Sequence, residues 1–330
     1  MQNYFANIQI FSYLCKYFAF FLMLMALMNE SNIRTDSVRA WLLAARPNTL
    51  TGAAVPVMVG VALALTDVQQ FADGTFSWTA AVLCLLFAFI MQIDANFIND
   101  FFDYVNGSDN AETRLGPRRA CAQGWVKLES MKKAIAATTV LACLVGLPLV
   151  YYGGLEMVLI GMLCVVFCFL YTTHLSYLGM GDLLVVVFFG LVPVCITYYV
   201  QLHTCTWQVV TLSLATGLVI DALLIVNNYR DRDLDRGVGK RTLVVIIGDK
   251  ASRRLYLAVG VVAWLMGIVS WLYGHVLVFL LPVVYLVFHF YTYLKIVRID
   301  RGKALNRCLG ETARNIFIYG LTVTLGLLLL

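Results

Sequence analysis

Residues 78–109 read WTAAVLCLLFAFIMQIDANFINDFFDYVNGSD, an apolar run that ends in a cluster of amides and carboxylates. A helix that crosses a membrane needs about 20 apolar residues, and this run supplies them. On a helix, the side chains of Asn96, Asn99, Asp100 and Asp103 project from one face. We expect the helix to end near Gly107, so that Asp109 folds back toward the same point. The stretch predicts a transmembrane helix that carries acids to one membrane face.

Similar apolar runs recur along the whole chain. The 330 residues are 61% hydrophobic and only 13% charged, whereas a soluble domain carries about 25% charged residues. The runs are continuous rather than alternating, which favours helices over a barrel. We predict an all-α integral membrane protein, with one domain over residues 31–330. Nine spans are expected, at 48–66, 78–99, 132–151, 154–173, 182–200, 207–228, 253–272, 274–293 and 310–329.

Basic residues are confined to alternate loops. All 24 Lys and Arg residues fall within residues 16–46, 114–133, 230–254 and 295–314. The connections at 67–77, 151–157, 201–207 and 273–275 contain none. Basic loops of membrane proteins face the cytoplasm, so the distribution predicts a multi-pass protein of the cell (inner) membrane. The net charge of +5 therefore reflects topology, and we expect no nucleic-acid partner.

Residues 1–30 form a separate hydrophobic extension. They lack a basic leading segment and a small-residue cleavage site, so a signal peptide is not expected. Two interpretations remain open. The segment is an extra N-terminal hydrophobic helix, or it is translated upstream sequence and the true start is Met28.

A second acidic segment ends the sixth predicted span. Residues 227–235 read NNYRDRDLD, and Asn227, Asp231 and Asp235 share a helix face at four-residue steps. Asp233 points away from that face and should be solvated. Four predicted spans separate the two acidic segments, so both should lie on the cytoplasmic side.

Carboxylates packed this closely repel one another unless a cation neutralises them. Mg²⁺ prefers oxygen ligands and is commonly shared between one or two carboxylates and a substrate phosphate. The two segments, with the nearby basic residues, therefore predict a site for a metal-bound diphosphate. The alternative is that these acids are helix-terminal residues paired with neighbouring arginines.

Two spaced motifs resemble the UbiA-type superfamily of intramembrane aromatic prenyltransferases, whose fold is nine helices around a central cavity. They are Asn99-Asp100-x-x-Asp103 and Asn228-x-x-Asp231-x-x-x-Asp235. The resemblance covers about residues 38–330. Further matching stretches lie at 45–50, 107–109, 116–120, 171–172, 178–182 and 239–243.

The resemblance implies a Mg²⁺-dependent transfer from a polyprenyl diphosphate to an aromatic acceptor within the lipid bilayer. One Mg²⁺ would be held by the first segment, through Asp100, Asp103 and Asp109 with Asn96 and Asn99. The other would be held by the second segment, through Asp231 and Asp235 with Asn227 or Asn228. Lys240 and Arg119 would stabilise the departing diphosphate, and Arg230 would contact the substrate.

The acceptor implied by the resemblance is 1,4-dihydroxy-2-naphthoate, which loses its carboxylate as CO₂ when it is prenylated on the way to menaquinone. The branch that uses 4-hydroxybenzoate places its third acid where this chain has Gly107, whereas Asp109 matches the naphthoate branch. Prenylation of 4-hydroxybenzoate or another quinone precursor stays open, and haem farnesylation and (bacterio)chlorophyll esterification fit less well. A polytopic transporter would place its acids at the middle of broken spans, and here they lie at helix ends.

Three further residues have two interpretations each. Asp182 assists the acceptor hydroxyl or caps the helix that follows it. Arg46 pairs with the acceptor carboxylate or anchors the chain at the membrane edge. Tyr171 binds substrate or packs in the core.

Overall fold

The computed structural model describes residues 33–71, 75–107, 112 and 114–329. The hydrophobic extension at 1–30 and the predicted ligand Asp109 lie outside the described residues. Fifteen α-helices are present in the described part of the chain. They are α1 (Val38–Ala45), α2 (Leu50–Phe71), α3 (Trp78–Val105), α4 (Leu128–Gly146), α5 (Leu149–Gly153), α6 (Glu156–Thr173), α7 (Gly181–Val186), α8 (Val192–Leu202), α9 (Trp207–Gly237), α10 (Leu243–Ile247), α11 (Asp249–Met266), α12 (Val269–Leu272), α13 (Leu277–Leu280), α14 (Val283–Ile299) and α15 (Asn306–Leu328).

Seven helical stretches of the described chain are long and apolar enough to cross a membrane, so the chain is a multi-pass membrane protein. They are Val38–Val68, Trp78–Val105, Glu156–Thr173, Gly181–Leu202, Trp207–Gly237, Asp249–Leu272 and Leu277–Ile299. The predicted spans at 132–151 and 310–329 are also largely helical, in α4 with α5 and in α15. Charged side chains, such as Lys132 and Arg314, lie within these two stretches. The predicted count of nine is therefore not confirmed.

Hydroxyl side chains mark where the long helices begin. The Ser77 hydroxyl accepts a hydrogen bond from the amide of Ala80 at the start of α3, and Thr206 does the same for Val209 at the start of α9. Such caps satisfy amides that have no partner within the helix. At its other end α3 stops at Val105, and Gly107 adopts a φ of +71°. The predicted helix end near Gly107 is confirmed.

Helix α9 lies at the centre of the bundle and packs against α2, α11, α15 and the turn that joins α7 to α8. That turn is a single π-helical segment, Val187–Leu191. Its Gly190 meets Gly217 of α9 so closely that an added Cβ would lie 2.6 Å from the Gly217 Cα atom. Two glycines facing each other let the helix backbones approach, as is common between membrane helices. The contact brings the start of α7 close to α9.

An ionic cluster fixes the acidic end of α9. The Arg232 side chain is buried, contacts Asp249 at 3.1 Å and lies over the Tyr229 ring at 4.0 Å. Tyr229 donates a hydrogen bond of 2.6 Å to Asp300, which Arg253 also contacts at 2.7 Å. These contacts hold the pKa of the Asp300 carboxyl below its usual value, chiefly through the Tyr229 hydrogen bond. The cluster joins the ends of α9, α11 and α14.

Candidate active site

The described residues enclose one large cavity of about 1210 Å³. Much of its wall consists of apolar side chains such as Phe87, Phe167, Phe188 and Leu224. One end carries amides, carboxylates and cationic groups from both acidic segments. The cavity thus has a polar end and an apolar interior, which suits a ligand that has a charged head and a long apolar tail.

The first acidic segment contributes Asn99 and Asp103 to the cavity wall. The Thr172 hydroxyl donates a hydrogen bond to the Asn99 side-chain oxygen, which fixes the direction of the amide. Asp103 forms an ion pair of 2.8 Å with Arg119, and both side chains are largely buried. Two groups of the predicted diphosphate site, an acid and a cation, are thus adjacent.

Asn96 and Asp100 of the same segment are turned away from the cavity. Asn96 is buried and donates to the Ala45 carbonyl and to the Thr49 hydroxyl, at 2.9 Å each. Asp100 is fully buried and accepts hydrogen bonds from the amides of Ala120 and Cys121, at 2.9 and 3.0 Å. Neither side chain lines the cavity. The geometry favours supporting roles for both residues over the metal and substrate contacts that the sequence predicted.

The second acidic segment presents its predicted face to the same cavity. Asn227, Asn228, Asp231 and Asp235 all line the wall. Asp233 does not, because it lies on the outer face, where it pairs with Arg236 at 3.1 Å. The helical-face prediction for residues 227–235 is confirmed.

Arg230 binds residues of this segment from a position outside the cavity wall. Its side chain is fully buried and contacts both carboxylate oxygens of Asp231. Its remaining bonds go to the side-chain oxygens of Asn227 and Asn306, at 2.9 Å each. Arg230 itself is not a lining residue. The contacts show an arginine that holds its neighbours, and they favour this role over the predicted contact with substrate.

Two further predicted cations reach the cavity. Lys240 lines the wall near the second acidic segment, and its ammonium lies 5.5 Å from the centre of the Tyr177 ring. Arg46 also lines the cavity and adopts a φ of +50° where it ends α1, before Pro47. The left-handed conformation costs a non-glycine residue roughly 1 kcal/mol. Strain of this kind is common at functional sites.

A third group of polar side chains lies on the cavity wall at the start of α7. Tyr171 and Asp182 line the cavity, and Asp221 of α9 is buried nearby. Neither carboxylate oxygen of Asp182 hydrogen-bonds to another residue in the described chain. One carboxylate oxygen of Asp221 also lacks a hydrogen-bond partner among the described residues. The helix-capping interpretation of Asp182 is wrong, because Met180 occupies the cap position.

Two arginines and an asparagine are among the residues of the cavity wall to which the sequence analysis gave no role. Arg114 and Arg118 come from the basic loop after α3, and Asn306 begins α15. The two arginines could have been found, because they precede Arg119 in the same basic loop. Nothing in the sequence near Asn306 signals its role, since its partners, Arg230 and Leu115, are distant along the chain.

The donor atoms at the polar end suit Mg²⁺. Within the described residues, no three His, Cys, Asp or Glu side chains cluster as a complete metal site. Mg²⁺ ordinarily takes only one or two carboxylates and completes its shell with water and substrate phosphate. Asp103, Asp231 and Asp235, with the amide oxygens of Asn99 and Asn227, supply oxygen donors of this kind.

The fold and the cavity define a polytopic membrane protein with an acidic, amide-rich site at one end of an apolar chamber. Residues 53–321 match the UbiA prenyltransferase family. The chain belongs to this family and is a membrane prenyltransferase, which excludes the transporter interpretation.

The chain is also similar to individual members of the family. The chain is 37% identical to 1,4-dihydroxy-2-naphthoate octaprenyltransferase of Escherichia coli (strain K12), over 69% of this chain and 74% of that one. It is 32% identical to the enzyme of the same name from Haemophilus influenzae, over 68% and 75%. Among solved structures, a UbiA homolog from Archaeoglobus fulgidus bound to GPP and Mg²⁺ superposes with a TM-score of 0.56 at 13% identity. That match covers 86% of this chain and 99% of the other, and it shows that the two chains share a helical fold.

Proposed function

We propose that this chain transfers a polyprenyl group from a polyprenyl diphosphate to 1,4-dihydroxy-2-naphthoate, with loss of the acceptor carboxylate as CO₂. The observation that carries the proposal is that both acidic segments, which lie far apart in sequence, line one cavity with an apolar interior. The names of the Escherichia coli and Haemophilus influenzae relatives support the choice of acceptor.

The diphosphate would bind at the polar end of the cavity. Asp103 and Asn99 face it from one side, and Asp231, Asp235 and Asn227 face it from the other. Bound Mg²⁺ would supply Lewis-acid stabilisation of the leaving diphosphate, and the Archaeoglobus fulgidus homolog was solved with this ion. Asp109 remains in the proposed ligand set from the sequence. Arg119 and Lys240 would contact the phosphate oxygens as charge-assisted donors.

The chamber would protect the carbon centre of the reaction. Loss of the diphosphate leaves an allylic cation, and apolar and aromatic walls keep water from quenching it. Phe167, Phe188 and Phe189 line this part of the cavity. Aromatic ring faces also attract a cation directly.

The acceptor would bind beside α7. Asp182 has carboxylate oxygens with no other residue bonded to them in the described chain, so it can accept a hydrogen bond from an acceptor hydroxyl. Tyr171 lies close by, since its hydroxyl is 3.7 Å from where a Cβ of Gly181 would stand. Arg46 faces the same cavity and would pair with the acceptor carboxylate.

The proposed topology places nine membrane-crossing helices in the cell (inner) membrane, counting the helical stretches at 132–151 and 310–329. The acidic segments and the basic loops face the cytoplasm. The positions of Lys and Arg support this orientation.

Membranes that contain the expressed chain test the proposal directly. They are incubated with Mg²⁺, radiolabelled polyprenyl diphosphate and, in parallel, 1,4-dihydroxy-2-naphthoate or 4-hydroxybenzoate. We expect label in a lipid-soluble product, with release of CO₂, from the naphthoate alone. EDTA should abolish the product and added Mg²⁺ should restore it. Transfer to 4-hydroxybenzoate, or turnover that EDTA leaves intact, contradicts the proposal. Membranes without the chain are the control.

A further inference from the structure

The loop of residues 114–121 lies against the polar end of the cavity and carries three arginines. Arg114, Arg118 and Arg119 all line the cavity wall. Arg119 is the arginine that pairs with Asp103 at 2.8 Å. The position of this loop therefore decides where positive charge stands beside the proposed diphosphate.

Asp100 holds the C-terminal end of the loop. Its two carboxylate oxygens accept hydrogen bonds from the backbone amides of Ala120 and Cys121, with N···O distances of 2.9 and 3.0 Å. A carboxylate that accepts two backbone amides makes charge-assisted bonds, which are stronger than neutral ones. Asp100 is completely buried, so these bonds are shielded from water.

Arg230 and Asn306 hold the N-terminal end of the same loop. The Arg230 guanidinium donates to the Asn306 side-chain oxygen at 2.9 Å, and the Asn306 amide donates to the Leu115 carbonyl at 2.8 Å. Gly116 packs directly on the guanidinium, because a Cβ at this residue would lie 2.6 Å from the Arg230 Nη2 atom. Arg230 cannot easily move aside, since Asp231 and Asn227 also bind it.

We propose that Asp100, Arg230 and Asn306 are positioning residues that clamp the 114–121 loop from both sides and so fix Arg119 beside Asp103. The two acidic segments then contribute more than metal ligands, since each also supplies one half of the clamp. The inference rests on the proposed function, because the loop is assigned to the diphosphate. Asp100 and Asp103 then have different roles, since Asp100 holds the loop and Asp103 binds the metal, although both acids belong to the same sequence motif.

Three variants distinguish a clamp from a ligand. Asp100→Asn keeps the size of the side chain but turns an amide hydrogen toward one of the two backbone amides. Gly116→Ala disturbs the other side of the clamp without changing any charge. Asp103→Asn removes an acid that lines the cavity. Gly237→Ala is the control for the glycine change, because an added Cβ there meets nothing within 4 Å.

Turnover is measured at varied concentrations of polyprenyl diphosphate with saturating Mg²⁺. It is also measured at varied concentrations of Mg²⁺ with saturating diphosphate. For Asp100→Asn and Gly116→Ala we expect the KM for the diphosphate to rise about ten-fold, with Mg²⁺ half-saturation changed by less than about two-fold. For Asp103→Asn we expect the Mg²⁺ requirement to rise about ten-fold or more. An Asp100→Asn enzyme that needs as much extra Mg²⁺ as Asp103→Asn would overturn the inference.

Limited trypsin digestion in detergent gives a second readout that does not depend on activity. Cleavage after Arg114, Arg118 or Arg119 should be about ten-fold faster in Asp100→Asn and in Gly116→Ala than in wild type or Gly237→Ala. Unchanged cleavage in both clamp variants also refutes the clamp. If Asp103→Asn leaves the Mg²⁺ requirement unchanged, the metal assignment fails, and the digestion still decides whether the loop is clamped.

Discussion

At the scale of single residues, the direction of a side chain separates acids that the sequence places side by side. Asp231 and Asp235 line the cavity, and Asp233 between them is half-exposed and paired with arginines. Helical geometry alone explains this difference, since residues four apart share a face and residues two apart do not. The chemistry of the segment thus belongs to one face of α9.

Asp235→Asn should reduce prenyl transfer by at least about 100-fold, because residues that only support a metal ligand already cost 10–100-fold when they are lost. Asp233→Asn, the matched control, should stay within about two-fold of wild type, since exposed ion pairs contribute little. Initial rates in purified, detergent-solubilised enzyme provide the measurement. Equal losses in the two variants would contradict the helical-face assignment. Asp231 is a poorer choice for this test, because its loss also strips the buried Arg230 of its counter-ion.

At the scale of helices, the close approach of two backbones determines where the acceptor side of the cavity lies. An added Cβ at Gly190 would stand 2.5 Å from the Ser213 carbonyl oxygen of α9. The π-helical turn at Val187–Leu191 brings Gly190 to this contact, and α7 carries Asp182 just before it. The spacing between α7 and α9 thus depends on residues without side chains.

Gly190→Ala should destabilise the protein by about 1–3 kcal/mol, because the extra methyl group forces the two helices apart. Gly161→Ala is the control, since a Cβ on that helical glycine meets nothing within 4 Å, and alanine is the better helix former. Thermal unfolding in detergent, followed by loss of monodisperse protein, compares the two variants. A Gly190→Ala protein that unfolds at the same temperature as the wild type would show that the two helices can move apart without loss of stability.

At the scale of the whole molecule, the bundle brings together two segments that about 130 residues separate in the sequence. Asp103 at the end of α3 and Asp235 at the end of α9 line the same cavity. Both helices start at capped positions on the opposite side, at Ser77 and Thr206. The molecule therefore has one acidic end and one end that lacks basic loops.

Thiol labelling tests this orientation. Cys205 is exposed in the loop before α9, and Lys250 is exposed near the start of α11, at the acidic end. In intact spheroplasts, a membrane-impermeant maleimide should label a protein whose sole cysteine is Cys205. The matched protein with Lys250→Cys as its sole cysteine should react only after the membrane is permeabilised. The reverse pattern would place the acidic segments on the side of the membrane opposite to the cytoplasm, where the diphosphate substrate could not reach them.

The seven apolar helical stretches of the described chain follow from the amino-acid sequence, because a bilayer imposes a length and an apolar composition that are read directly from the residues. The sequence also indicates which of Asp231, Asp233 and Asp235 face inward, since a helix of known period leaves no freedom in that choice. The two acidic segments and the inward face of α9 were therefore predictable from local periodicity.

The part that each acid plays depends on tertiary contacts. Asn99, Asp100 and Asp103 are neighbours on α3, yet Asp100 is bound by the amides of Ala120 and Cys121 and Asp103 reaches the cavity. The link from Arg230 through Asn306 to Leu115 likewise joins three separate parts of the chain. Such bonds form between groups that folding brings together, and a helix period carries no information about which distant backbone amide will capture a buried carboxylate.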